Sequence, residues 1–143
     1  MAARLIGALN AELAAEYNDP RANHFRLDAG EVAPGRGAFL VAWNGQEAVG
    51  CGAIRRLGES EAEIKRMYVA AEWRGRGVGR LMLDALEAEA RRLGVRRIVL
   101  ETGNRQTRAL ALYRARGFAG IPAYGEYVSS PEISICMAKE LRP

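Results

Sequence analysis

Three alternating glycines among arginines form the part of the sequence with the clearest chemical potential. The segment Arg74-Gly75-Arg76-Gly77-Val78-Gly79-Arg80 lies between a strand-like run that ends at Val69 and a helical pattern that begins at residue 78. Glycines at a helix entrance bring backbone N–H groups close to a ligand, and the positive end of the helix dipole favours an anion. Arginine guanidinium groups bind phosphate oxygens. The spacing therefore predicts a phosphate-binding loop, which we call the glycine loop (residues 74–80).

The spacing of the glycines also limits the kind of phosphate ligand. Gly75, Gly77 and Gly79 follow the pattern Gly-x-Gly-x-Gly, which misses the dinucleotide fingerprint Gly-x-Gly-x-x-Gly by one residue. A Walker-type loop needs a Gly-Lys-Ser/Thr sequence, and the segment contains no lysine. A turn that only changes the direction of the chain is the alternative. The flanking arginines at a strand-to-helix junction favour a ligand.

Hydrophobic periodicity predicts the elements that must position this loop. Apolar residues at helical spacing predict a helix over residues 4–17, followed by an Asn-Asp-Pro sequence that ends it. Residues 18–36 contain two prolines and two glycines and predict a loop. Residues 38–43 and 48–55 have strand patterns on either side of Asn44-Gly45, a dipeptide typical of a β-hairpin.

The second half of the chain alternates strands and helices. The expected elements are a strand over 61–69, a helix over 78–93 ended by Gly94, a strand over 97–101, a helix over 104–116 and a strand over 132–137. This order predicts antiparallel strands first and then a parallel pair joined by a helical crossover. We therefore expect a single α/β domain with a mixed sheet over residues 1–143.

Composition argues against several other classes of protein. A chain of 143 residues that is 49% hydrophobic can bury a core without metal or disulfide staples. The formal net charge of +4 comes from scattered arginines without an aromatic-interleaved basic stripe, so we expect no nucleic-acid partner. Without a signal peptide or a long apolar run, we expect a cytoplasmic protein with no membrane partner. Cys51 and Cys136 are expected to be free and buried, and we expect no metal site.

Two separated motifs resemble those of one enzyme family. The run Arg74-x-x-Gly77-x-Gly79 is similar to the Gln/Arg-x-x-Gly-x-Gly/Ala signature of the GCN5-related N-acetyltransferases, the GNAT family. Asn104 and the segment Ala109-Leu110-Ala111-Leu112-Tyr113-Arg114-Ala115-Arg116-Gly117-Phe118 are similar to the family's Asn … Ala-x-x-Leu-Tyr-x-x-x-Gly-Phe segment. The resemblance covers residues 38–118. It implies the acyl-CoA N-acyltransferase fold, acetyl-CoA as co-substrate and an amine acceptor, whereas residues 119–143 match no motif and leave the acceptor open.

The resemblance implies cofactor-binding roles for particular residues. The glycine loop would bind the diphosphate of coenzyme A, and the backbone of Met67-Tyr68-Val69 would hold the pantetheine arm and thioester, as the family's bulged fourth strand does. A main-chain N–H near Val69 would polarise the thioester carbonyl. Asn104 would hydrogen-bond the cofactor arm or an ordered water, and it would also cap the helix expected to begin there.

Acetyl transfer to an amine needs a proton acceptor, because an amine with a pKa of about 10.4 is almost fully protonated at neutral pH. Glu63 lies six residues before Val69 on the same strand, where family members that acetylate lysine in histones have a glutamate. Glu63 is therefore the candidate base, and an ion pair with Arg55 or Lys65 is the alternative. Further candidates are Glu61, Glu101 and His24.

Tyr113 is the candidate general acid, because the resemblance places its hydroxyl near the thioester sulfur. A tyrosine hydroxyl has a pKa of about 10 and is protonated at neutral pH. The alternative is that Tyr113 only packs on the sheet. A thiol pKa near 8.5 makes departure of the thiolate feasible without strong acid help, so a modest effect is expected from the loss of the hydroxyl.

Three other functions are compatible with parts of this pattern: a catalytically silent acetyl-CoA-binding regulator, a module for another nucleotide, and a weak nucleic-acid binder. The identity of the acceptor cannot be read from the motifs. Several acidic residues would suit a cationic acceptor if they converged, namely Glu12, Glu16, Glu63 and Glu126. A homodimer would be ordinary for a domain of this size.

Overall fold

Six strands form a mixed sheet in the computed structural model, which describes residues 29–129 and 133–142. They are β1 (Gly37–Asn44), β2 (Glu47–Arg56), β3 (Glu61–Val69), β4 (Arg97–Gly103), β5 (Ala119–Ile121) and β6 (Ser134–Glu140). Their order in the sheet is β1-β2-β3-β4-β6-β5. The β3–β4 pair is parallel and the other neighbouring pairs are antiparallel. The hairpin and the parallel crossover predicted from the sequence are therefore confirmed.

Two helices pack on one face of this sheet. Helix α1 spans Val78–Leu93 and connects β3 to β4, and helix α2 spans Thr107–Ala115. Both contribute to one hydrophobic core, in which Leu86 of α1 and Leu110 of α2 join Ile64 of β3. Burying a leucine side chain of this kind stabilises the fold by about 1.5–3 kcal/mol. The core therefore holds both helices against the sheet.

The parallel ladder between β3 and β4 covers only part of the two strands. It begins with Glu61 opposite Arg97 and ends with Ile64 opposite Leu100, although both strands continue beyond that point. The two strands separate past the end of the ladder, and their residues there surround an opening in the sheet. The site described below lies at this opening.

A β-bulge lies in β3 next to the end of this ladder. Two residues of β3, Arg66 and Met67, face the single residue Gly52 of β2. Arg66 has a φ of 57°, the only positive φ of a non-glycine residue in the described chain. Such a conformation costs about 1–3 kcal/mol and persists where the surrounding structure enforces it. The bulge that the family resemblance implies is therefore present.

The second helix starts later than the sequence predicts. Asn104 lies in a turn, in which the N–H of Gln106 donates to the carbonyl of Gly103 at 3.0 Å. The N–H of Asn104 donates to the carbonyl of Ile133 at 2.9 Å, which ties the turn to the start of β6. Gln106 is the N-cap of α2, so the prediction that Asn104 caps this helix is wrong. Local periodicity cannot show this long-range hydrogen bond to the residue before β6, which holds Asn104 in the turn.

Some predicted elements lie outside the described residues. They are the helix over 4–17, most of the loop over 18–36, and the start of the closing strand at residue 132. The short strand β5 and the 3-10 turns Ala71–Trp73 and Gly125–Ser129 were not predicted, because three to five residues are too few to show a period. Over the described ranges, neither α1 nor α2 has the length and apolar character that spanning a bilayer requires.

Candidate active site

The glycine loop leads into α1 with an unusual backbone. Gly75 and Gly77 have φ values of 77° and 86°, in the left-handed region that L side chains rarely adopt. Gly77 is the N-cap of α1 and offers no side chain to the first N–H groups of the helix. The first turn of α1 also contains no acidic residue. These N–H groups and the positive end of the helix dipole are therefore suited to an anionic ligand.

Gly79 is needed for a different reason, the close approach of the two helices. A Cβ atom on Gly79 would lie 3.1 Å from Cδ2 of Leu112 and 3.8 Å from Cε of Met67. The first of these distances is tighter than nine in ten contacts of real Cβ atoms, so the leucine side chain would have to shift. A larger side chain at Gly79 would therefore project between α1, α2 and the end of β3, where the cleft described next begins.

A cleft of about 700 Å³ separates the glycine loop and the end of β3 from the start of α2. We call it the outer cleft. Most predicted cofactor-binding residues line it: Met67, Tyr68, Val69, Arg74, Gly75, Gly77, Gly79, Arg80 and Tyr113. The motifs did not point to a second group of lining residues, which includes Trp73, Arg105, Gln106, Thr107 and Arg108. Arginines at both rims give the cleft a cationic character that suits a phosphate-bearing ligand.

The three arginines of the glycine loop have different positions. The Nε–H of Arg74 donates to the carbonyl of Val69 at 3.0 Å, and its guanidinium group lies 5.3 Å from the ring centroid of Tyr68. Arg74 therefore ties the loop to the end of β3 as well as lining the cleft. The guanidinium group of Arg76 stacks on the ring of Trp73 at 4.8 Å. Arg80 lines the outer cleft from the first turn of α1.

Among the described residues, three of the predicted cofactor-binding side chains are not part of the cleft lining: those of Arg76, Val78 and Asn104. The side chain of Val78 packs toward β2, where a Cβ on Gly50 would meet it at 3.1 Å. The turn after β4 brings Arg105 rather than Asn104 to the cleft. Arg105 and Arg108 at the entrance of a helix were a basic signal that could have been noticed in the sequence.

A smaller pocket of about 90 Å³ adjoins the outer cleft at the opening between β3 and β4. We call it the inner pocket. It shares Met67, Gln106, Ala109 and Tyr113 with the outer cleft. Its remaining lining comes from the two diverging strands and from the turn Gly125–Ser129, and includes Lys65, Arg66, Glu101 and Tyr127. The two spaces together connect the helix-covered side of the sheet with the opposite side.

Tyr113 lies where the two spaces meet. Its hydroxyl donates to Sδ of Met67 at 3.7 Å, and its ring makes an edge contact with Phe118 at 5.8 Å between centroids. Burial raises the pKa of Tyr113 above its usual value, and the nearby charge of Glu101 adds to this rise. The hydroxyl is therefore protonated at neutral pH and available as a proton donor.

Glu101 presents a carboxyl group to the inner pocket. Its Oε2 accepts a hydrogen bond from the hydroxyl of Ser134 at 2.7 Å, whereas its Oε1 is buried and has no hydrogen-bond partner among the described residues. Burial raises the pKa of Glu101 to about 7. The charges of Glu63 and Glu126 raise it further, while Ser134 and Lys65 oppose the rise. Glu101 therefore titrates near neutral pH, as a general base requires.

Glu63 is held in an ion pair on the side of the sheet opposite the helices. Its Oε1 accepts from Nε and Nη2 of Arg55 at 2.9 and 2.7 Å, and its Oε2 accepts from the hydroxyl of Tyr124 at 2.6 Å. The side chain is 1% exposed. The structure thus shows the Arg55 pairing that the sequence analysis gave as the alternative, with both carboxylate oxygens of Glu63 in use.

The other candidate bases lie away from the inner pocket or outside the described residues. Glu61, the first residue of β3, pairs with Arg97 at 3.4 Å, where the ladder with β4 begins. His24, Glu12 and Glu16 belong to the segment that is not described. Of the four acidic residues that would suit a cationic acceptor if they converged, Glu63 and Glu126 lie in the described part of the chain, and the charges of both act on Glu101.

The two cysteines are buried and free, as predicted. Burial raises the pKa of the Cys51 thiol to about 11, although the charge of Arg66 opposes the rise. A thiol that is protonated at neutral pH is a poor nucleophile, so Cys51 fits a packing role. Within residues 29–129 and 133–142, no three His, Cys, Asp or Glu side chains come together as a metal site would require.

Known proteins similar to this chain are acetyltransferases. The model of the acetyltransferase (GNAT) family matches residues 4–118. A protein named IAA acetyltransferase from Azospirillum brasilense is 39% identical over 139 residues, which cover 96% of this chain and 89% of the relative. An uncharacterized N-acetyltransferase of Bacillus subtilis, YsnE, is 35% identical over 105 residues, which cover 72% of this chain and 69% of the relative.

Solved structures share the fold described above. A protein assigned as an acyl-CoA N-acyltransferase from Klebsiella pneumoniae superposes with a TM-score of 0.82 at 36% identity, over 97% of this chain and 88% of the other. A GNAT family acetyltransferase from Elizabethkingia anophelis, solved with acetyl-CoA bound, has a TM-score of 0.65 at 23% identity, over 74% of this chain and 77% of the other. This chain therefore belongs to the acetyltransferase (GNAT) family and is an enzyme of the N-acetyltransferase class.

Proposed function

We propose that this enzyme transfers the acetyl group of acetyl-CoA directly to a primary amine of a small molecule or peptide. The observation that carries the proposal is the junction of two spaces at the β3–β4 opening. One space is a cationic cleft of about 700 Å³. The other is a pocket lined by a protonated tyrosine and by a carboxyl group that titrates near neutral pH. A thioester entering from the cleft and an amine entering from the pocket would meet between Tyr113 and Glu101.

The outer cleft fits the parts of acetyl-CoA. The uncapped start of α1 and the side chains of Arg74 and Arg80 would bind the diphosphate. The backbone of Met67, Tyr68 and Val69 would face the pantetheine arm, because the ladder with β4 ends before these residues and leaves that edge of β3 unpaired with it. The close contact at Gly79 supports this fit, since a side chain there would enter the cleft.

Glu101 is the proposed proton acceptor. The substrate ammonium would give one proton to Glu101, and the free amine would attack the thioester carbonyl carbon. The carbon–sulfur bond would then break, the leaving thiolate would take a proton from the hydroxyl of Tyr113, and the second proton lost by the nitrogen would reprotonate Tyr113. Glu101 would release its proton to water. Raising the pKa of Glu101 from its ordinary value of 4.5 to about 7 reduces the free-energy cost of taking a proton from the ammonium by about 3 kcal/mol. An unperturbed carboxylate in the same position would be a weaker base by that amount.

Glu63 is the less suitable base, although the family resemblance favours it. Its carboxylate would have to give up a hydrogen bond from Arg55 or Tyr124 before it could take a proton. We propose that it acts on the reaction through its charge, which helps to raise the pKa of Glu101. Glu101 would then accept the proton, and Glu63, on the neighbouring parallel strand, would help to set the pKa of Glu101.

A thiol-release assay with acetyl-CoA and a panel of amines, with mass spectrometry of the products, tests the proposal. We expect one acetylated amine for each thiol released. A catalytically silent acetyl-CoA-binding protein would bind the thioester and release no thiol with any amine. That result would refute transferase activity even if acetyl-CoA binds tightly.

Paired variants separate the roles of the two carboxylates. Glu101→Gln is expected to lower kcat/KM by about 10²–10⁴-fold with little loss of stability, because it removes the proton acceptor. Glu63→Gln breaks a buried ion pair and is expected to lower the free energy of unfolding by about 3–5 kcal/mol. If the folded fraction of Glu63→Gln instead loses about 10²–10⁴-fold in kcat/KM while Glu101→Gln stays active, Glu63 is the base.

A further inference from the structure

The bulge in β3 places two consecutive basic side chains on the same side of the sheet. In a regular strand, neighbouring side chains point to opposite faces. Here Nζ of Lys65 lies 3.3 Å from Oε1 of Glu126, and the charge of Glu126 also acts on Arg66. Met67 points instead toward the helices, where it contacts the hydroxyl of Tyr113. Lys65 and Arg66 therefore both line the inner pocket from the side opposite the helices.

These two cations are held in surroundings that are costly for charge. Lys65 is 4% exposed, and burial lowers the pKa of Arg66. Buried cations are stabilised only where anions accompany them. Glu126 is one such anion, but its side chain is 37% exposed and it is not part of the described pocket lining. Among the described residues that line the inner pocket, Glu101 is the one acid facing two cations.

We propose that the acceptor amine carries a carboxylate on a neighbouring atom, as an α-amino acid does, and that Lys65 and Arg66 bind this carboxylate while Glu101 faces the ammonium group. This inference rests on the proposed N-acetyl transfer and names the class of its acceptor. Lysine and arginine side chains are the usual ligands of a carboxylate, and arginine can bind both oxygens at once. The sequence left the acceptor open, although converging acidic residues would suit a cationic one. The two cations in the pocket lining argue against that class.

The size of the inner pocket agrees with an acceptor of this kind. Its 90 Å³ correspond to about three water molecules, which leaves room for a compact reacting end and directs the rest of the acceptor outward. A polyamine would bring a second positive charge against Lys65 and Arg66. Like charges brought together in this way disfavour the wrong ligand.

The test compares L-amino acids with their carboxamides as acceptors of the wild-type enzyme, with spermidine as a further amine. Amidation lowers the pKa of the amine and increases the fraction of free base, so intrinsic reactivity favours the carboxamide. We expect instead that at least one L-amino acid has a kcat/KM about tenfold or more above that of its carboxamide. This comparison needs no variant and does not depend on whether a substitution disturbs the fold.

Variants then assign the preference to the two cations. Arg66→Gln and Lys65→Gln are expected to raise KM for the preferred amino acid by about tenfold or more, to reduce its advantage over the carboxamide, and to leave KM for acetyl-CoA unchanged. Arg92→Gln is the matched control, because Arg92 lies on the exposed side of α1 with its side chain 70% exposed. It should change none of these values.

Each negative result identifies which proposal fails: the carboxylate site, its assignment to Lys65 and Arg66, or N-acetyl transfer itself. If carboxamides or spermidine are acetylated as well as or better than the amino acids, the carboxylate site is wrong and N-acetyl transfer still stands. If the preference exists but survives in both Arg66→Gln and Lys65→Gln, the assignment to these two residues is wrong. If no amine is acetylated although acetyl-CoA binds, the proposed function and this inference both fall.

Discussion

The pKa of Glu101 leads to a quantitative prediction for the pH dependence of catalysis. If Glu101 accepts the proton, only its ionised form is active, and kcat/KM rises as pH passes through its pKa. The groups that set this pKa are its own burial, the charges of Glu63 and Glu126, and the opposing effects of Ser134 and Lys65. The pH profile therefore reports on the whole inner pocket.

The expected magnitude follows from a pKa of about 7. About 9% of Glu101 is ionised at pH 6 and about 91% at pH 8, so its contribution to kcat/KM rises about tenfold over this interval. A carboxyl group with an ordinary pKa would already be fully ionised at pH 6 and would contribute no rise. The tenfold change is therefore specific to a carboxyl group in surroundings like these.

The acceptor amine also titrates, and the assay must remove its contribution. We would measure thiol release by the wild-type enzyme and by Glu101→Gln with the same amine from pH 5.5 to pH 8.5. The ratio of the two kcat/KM values cancels the titration of the amine. We expect this ratio to rise about tenfold between pH 6 and pH 8 and to level off above pH 8.

Ser134→Ala provides a control for the origin of the profile. The hydroxyl of Ser134 donates to Glu101 and lowers its pKa, so its removal should move the midpoint of the profile to higher pH. A ratio that is independent of pH from 6 to 8 would refute the role of Glu101. An unchanged midpoint in Ser134→Ala would refute the account of how its pKa is set.

Two further predictions concern the same pocket. The free energy of unfolding of Glu101→Gln minus that of the wild type should be larger at pH 8 than at pH 5, by up to about 3 kcal/mol. The folded state keeps the proton of Glu101 up to a pKa of about 7 while the unfolded state loses it near 4.5, so this carboxyl lowers stability as pH rises. Urea denaturation at both pH values measures the difference, and equal differences would contradict the raised pKa. Tyr113→Phe should lower kcat by about tenfold to a hundredfold without changing KM for acetyl-CoA, because the thiolate can also leave without a donor. An unchanged kcat in steady-state thiol release would show that Tyr113 only packs on the sheet.

The glycine loop and the elements around it could be predicted because their signals are local. Gly77 and Gly94 lie at the two ends of a segment whose apolar positions repeat with helical spacing, and the structure places α1 over Val78–Leu93 as expected. The Asn44-Gly45 turn likewise specifies the hairpin within a few residues. Patterns of this kind depend on neighbours in the chain, which the sequence displays directly.

The inner pocket could not be predicted in the same way, because it depends on contacts between distant residues. Alternation alone places Arg66 on the side of the helices, and only pairing with β2 reveals the bulge that turns it to the other side. The choice between Glu63 and Glu101 depends on Arg55 and Ser134, which reach them from neighbouring strands. Periodicity cannot show which of two strand carboxylates is held in an ion pair.

Binding of acetyl-CoA in the outer cleft is the central claim, and calorimetry can measure it for the wild type and for Gly79→Leu. Gly58→Leu is the matched control, because a Cβ on Gly58 meets nothing within 4 Å. The wild type and the control should bind one acetyl-CoA per chain, and Gly79→Leu about tenfold or more weakly, since its side chain enters the cleft beside Leu112. Equal affinity in a folded Gly79→Leu protein, or no heat with the wild type, would contradict the central claim.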